Sequence, residues 1–101
     1  MAKLYITEFT GLGDARGLSI EAALEPGYDQ PPVDISGTSA QSETFKNGTR
    51  IIRVHTDIGC SITFGADPTA TTDNRRLAID ATEYFAIGSA SNLKLAVIQN
   101  G

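Results

Sequence analysis

Polar and apolar residues alternate with period two along most of the chain. In AKLYITEF, residues 2–9, Leu4 and Ile6 share one parity while Tyr5, Thr7 and Phe9 share the other. That pattern predicts a strand partly covered on both faces. In LSIEAALE, residues 18–25, Leu18, Ile20, Ala22 and Leu24 alternate with Ser19, Glu21, Ala23 and Glu25. Alternation, with Gly17 and Pro26 at the flanks, favours a strand there; the Ala, Leu and Glu content also admits a helix. PGYDQPP, residues 26–32, holds three of the four prolines and breaks regular structure. VDIS follows as a short strand, and SETFK as another, ending at Asn47-Gly48, a dipeptide suited to a tight hairpin turn. TRIIRVHT and CSITF come next, then a polar loop, GADPTATTDN, then RRLAI, TEYFAI and NLKLAVI. Short strands with a turn signal every ten residues or so predict an all-β fold, a small sandwich or jelly-roll-like domain of about eight strands. With 101 residues, the chain reads as one domain over 1–101.

The stretch RVHTDIGCSITFG, residues 53–65, contains the only histidine and the only cysteine, with Asp57 between them. A thiol nucleophile with its base, or the corner of a metal site, would use these residue types. On strands, Ile52, Val54 and Thr56 share one face, and Arg53, His55 and Asp57 the other. A three-residue loop at 57–59 pairs Thr56 with Cys60, Val54 with Ile62 and Ile52 with Phe64, with Gly59 in the left-handed conformation. One uninterrupted strand keeps the same parity. Either way Cys60 points inward with Ile62 and Phe64, and His55 points outward. A Cys–His pair needs both side chains within hydrogen-bond reach, so no catalytic residue is expected here. A metal would need further ligands from elsewhere in the chain, and neither a metal nor a cofactor is expected.

GLGDARG, residues 11–17, superficially matches a dinucleotide-binding turn. Its third glycine is one place late, and no strand–helix alternation surrounds it. It reads as a partner-binding loop in which Gly11, Leu12, Gly13, Asp14 and Arg16 make the contacts. Tyr28 in PGYDQ is the best exposed aromatic, and Arg75-Arg76, beside Asp73 and Asp80, reads as a salt-bridged loop end or as a docking patch. Net charge is −4 and the bases are dispersed, which argues against nucleic acid as a partner. No apolar run reaches bilayer length and no signal peptide is evident, so no membrane partner is expected. A single cysteine leaves no disulfide framework and points to assembly in a reducing cytoplasm.

The stretches MAKLYITEFTGLGDARG, SGTSAQSETF, RIIRVHTDIGCSITFG, PTATTDNRRLAI and EYFAIGSASNLKLAVI together resemble the small head decoration, or cement, proteins of short-tailed bacteriophages. The resemblance spans nearly the whole chain and rests on texture; it transfers no individual site residue. It implies a virion structural protein, made in the host cytoplasm and placed on the capsid exterior. Its partners would be the major capsid protein and further copies of itself, and it would have no enzymatic activity. A head or tail fibre module binding host glycans is the alternative expectation, and a cupin-like metalloenzyme a more distant one, since such sites gather several histidines.

Overall fold

The computed structural model describes residues 2–15, 18–23, 25–88 and 92–101, with the backbone alone at 13–15 and 18–22. The strands are β1 (Lys3–Phe9), β2 (Leu12–Ala15), β3 (Leu18–Ala23), β4 (Tyr28–Asp29), β5 (Val33–Asp34), β6 (Ala40–Gln41), β7 (Ile51–Thr56), β8 (Cys60–Gly65), β9 (Arg75–Leu77), β10 (Thr82–Ala86) and β11 (Lys94–Gln99). The described residues contain no helix, and thus none long and apolar enough to cross a membrane.

Nine strands form two antiparallel sheets. One runs β10-β7-β1, with β4 and β5 placed end to end along the far edge of β1. The other runs β6-β11-β8-β9. Their inner faces close a β-sandwich around Leu4, Ile6, Ile52 and Val54 from the first sheet and Cys60, Ile62, Leu77, Leu95 and Val97 from the second. From the first sheet these are even positions of β1 and β7; the alternation predicts that face for β7, and in β1 it is the face of Leu4 and Ile6 that turns inward. Each such side chain contributes about 1.5–3 kcal/mol by leaving water. The exposed prolines Pro31 and Pro32 separate β4 from β5 on a sheet edge, where a missing N–H breaks no ladder.

One inward position of β1 is charged. Glu8, only 3% exposed, accepts hydrogen bonds from Thr49 Oγ1 (2.6 Å), Lys46 N (2.7 Å) and Gln30 Nε2 (3.0 Å). The carboxylate thereby anchors the irregular segment before β7 to the first sheet. Gly27 lies flat on Phe9: an added Cβ would sit 2.7 Å from the ring. This close approach covers Phe9, which is buried although its parity points away from the core.

The connections collect at two ends. Ile35 N donates to Ala2 O, Asp57 N to Lys3 O and Thr56 N to Ala81 O, so the links β5–β6, β7–β8 and β9–β10 all cross between sheets near the start of β1. Gln99 N donates to Ser36 O at this same end. At the other end, Arg50 N donates to Phe9 O and Ile87 N to Arg50 O, near the links β6–β7 and β10–β11.

Three sequence expectations change. Neither the 57–59 hairpin nor a single strand through it forms: β7 pairs with β1 and β10, while β8 pairs with β11 and β9. The loop carries the chain from one sheet to the other, so the inward parity of both arms survives while the pairing does not. Gly59 is not in the left-handed region; a Cβ there would meet Arg76 Nη2 at 2.7 Å and Asn100 O at 2.8 Å, so crowding selects the glycine. Second, SETFK is not a strand. Thr49 N closes a turn onto Lys46 O, and the chain around Phe45 is held by Glu8 and by the β11 side, through Phe45 N to Leu93 O. Third, the stretch TGLGDARG is not a loop throughout, because Leu12–Ala15 is a strand antiparallel to β3. That pairing resolves Leu18–Ala23 as strand rather than helix, with an irregular register beginning at Gly13.

Candidate binding surface

The outer face of the five-stranded sheet carries the odd positions of β1 and β7. Cross-strand register sets them in rows. Tyr84, Arg53, Thr7 and Asp29 lie side by side, and Ala86, Ile51 and Phe9 form the next row toward the hairpin end. The β2–β3 hairpin leaves from the end of β1 and, among the described residues, pairs with no strand of either sheet. Leu12 and Ala23 face each other across its base. With Phe9, Ile51, Arg53 and Tyr84 they line an open groove of about 720 Å³. Leu12 is 48% and Tyr84 59% exposed, so this is apolar surface left in water. β10 is the outer strand on that side of the sheet among the described residues.

The residues singled out in the sequence do not converge. Gly11 and Leu12 stand at the hairpin base with the backbone of Gly13; the side chain of Asp14 on β2 and all of Arg16 lie outside the described residues. Tyr28 is on the opposite edge of the sheet, on β4. Its hydroxyl donates to Glu43 Oε1 (3.2 Å), and the Lys46 ammonium sits 4.2 Å from the ring centroid. The Glu43 carboxylate beside it pushes the phenol above its ordinary pKa. Arg75 stacks its guanidinium 5.3 Å from the Phe85 centroid, and Arg76 Nε donates to Asn100 O (2.8 Å). Both arginines thus have contacts within the chain, on β9 of the second sheet. Sequence reasoning missed Phe9, Ile51, Arg53 and Tyr84 as surface partners of Leu12. The parity of Ile51 and Arg53 was visible, but the register that places Tyr84 beside them was not.

His55 and Cys60 are separated. The imidazole Nδ1 is hydrogen-bonded to Thr82 Oγ1 (2.8 Å) at the surface. Cys60 is fully buried, its thiol donating to Thr56 Oγ1 (3.5 Å), and burial pushes the thiol above its ordinary pKa. A buried thiol of this kind packs as a small hydrophobe. His55 has other company: one ring nitrogen, one oxygen of Asp57 and one oxygen of Asp80 lie within 4.8 Å of one another. The elsewhere that a metal would require is the β9–β10 link. Compared with protein-family models, with curated proteins and with solved structures, the chain matches none.

Proposed function

We propose that the protein is an adhesive structural component of a bacteriophage head, a cement protein that braces the outside of the capsid shell. The observation that carries this reading is the groove at the hairpin base. It combines exposed Leu12 and Tyr84 with Phe9 and Ile51, and it adjoins a strand pair that, among the described residues, belongs to neither sheet. Solvent-exposed apolar surface of this sort, rimmed by Arg53 and Glu25, suits a protein partner. The texture shared with phage decoration proteins adds the identity of that partner, the major capsid protein, and the further expectation of self-association on the shell. The glycan-binding alternative draws less support, because Tyr28, its best candidate, is engaged by Lys46 and Glu43.

A protein that binds the assembled shell stabilises it by mass action. Shells stripped of the protein should lose their contents at lower temperature, and adding it back should restore resistance. Leu12→Asp and Tyr84→Asp proteins, folded but with a charge in the groove, should restore less than a tenth as much at equal concentration. Equal heat resistance with and without the protein would refute the reading.

A further inference from the structure

We propose that His55, Asp57 and Asp80 form a zinc-binding site that ties together two of the connections crossing between the sheets. The three residues come from different places: His55 from the end of β7, Asp57 from the β7–β8 link and Asp80 from the β9–β10 link. Their ligand atoms lie within 4.8 Å of one another. In a tetrahedral zinc site with bonds near 2.0–2.1 Å, ligand atoms stand roughly 3.3 Å apart. Small side-chain rotations would close that difference. One imidazole and two carboxylates match the nitrogen and oxygen donors zinc accepts, and water would complete the four.

Two features beyond proximity favour a cation. The positions are held from outside the triad: Thr82 Oγ1 fixes the ring at Nδ1, and Lys3 N donates to Asp57 Oδ2 (3.0 Å). With an ion held at Nε2, the Thr82 bond would be the outer hydrogen bond that usually accompanies metal ligation. Neither carboxylate, moreover, has a salt-bridge partner among the described residues, where the only side-chain ion pair is Lys3–Asp34. Two anions drawn together without a base repel, and a divalent ion at their centre turns repulsion into attraction. Its position, near the start of β1, is about a strand length, roughly 20 Å, from the hairpin root. Zinc would brace the sandwich without occupying the binding groove, and the inference does not depend on the proposed function.

Titration of the purified, metal-free full chain with zinc chloride, followed by calorimetry and by chelator competition, tests the site. One equivalent should bind with micromolar or tighter affinity and raise the melting temperature. His55→Ala and Asp80→Asn should each weaken binding at least tenfold, while Cys60→Ala should leave it intact. His55 is the only histidine, so zinc should move the chain's single set of imidazole NMR signals. Calcium should bind more weakly and leave those signals in place. No binding at millimolar zinc, binding unchanged in both ligand variants, or imidazole signals unmoved at saturation would each overturn the proposal. Circular dichroism of the metal-free variants confirms that they are folded; if Asp80→Asn is not, the imidazole signals of the unmodified chain decide.

Discussion

Glu8 carries more of the architecture than any other polar residue described. An ordinary strand would place an apolar side chain there, yet three donors from two separate segments, Gln30 after β4 and the Lys46–Thr49 turn before β7, converge on this carboxylate. Removing it strands a buried backbone N–H, an amide and a hydroxyl together. Each unsatisfied buried group costs about 1–3 kcal/mol, and the donors would recover part of that by local relaxation. Glu8→Ala is therefore expected to destabilise the fold by about 2–4 kcal/mol in urea unfolding. Glu8→Gln, which keeps an acceptor oxygen, should fall between. A loss below about 0.5 kcal/mol for Glu8→Ala, the range of ordinary surface changes, would show that the network is dispensable.

At the level of elements, the hairpin stands apart. β2 and β3 pair with each other, and among the described residues neither joins the two larger sheets. Replacing residues 11–24 with a short Gly/Ser link should therefore leave the sandwich folded, with a strand-type circular dichroism spectrum and cooperative unfolding. Shell binding should fall at least tenfold. Loss of cooperative folding would mean that the hairpin closes the core after all. This scale also marks where the sequence stops being readable. The alternation in β7 and β8 exposed the core faces correctly, because inward parity depends only on local period, whereas β1, with Tyr5 and Phe9 opposite Leu4 and Ile6, read as covered on both faces. Pairing depends on which edge a strand meets, and a three-residue link such as 57–59 serves equally for a hairpin and for a passage between facing sheets. Gly59 illustrates the ambiguity: the same residue answers to a left-handed turn or to crowding by Asn100, and only the fold decides. Likewise Asp80 is 23 positions from Asp57 along the chain, with no local pattern linking them, so the acidic partner of His55 was invisible until β10 took its place beside β7.

For the molecule as a whole, three protonation shifts point the same way. Burial raises the Cys60 thiol, the Asp34 carboxylate raises Lys3 and Glu43 raises Tyr28. Each group holds its proton more tightly folded than unfolded. Their contribution is complete below the unfolded thiol value, about 8.5, and is lost as pH climbs through the folded values. Lys3 and Tyr28 are screened at the surface, so Cys60 should dominate. The urea midpoint is expected to stay level from pH 6 to 8 and to fall above about 8.5. Cys60→Ala should flatten that fall; a midpoint that rises toward pH 10 would contradict the assignment. The molecule measures 47 × 27 × 22 Å, and the gathering of its links gives it two unlike poles. Ala2 and Gln99 both bond to the 35–36 segment, at the pole remote from the hairpin. Cargo tethered to either terminus would depart from the side facing away from the groove, so a fused peptide or dye could be displayed there while the adhesive side remained unobstructed.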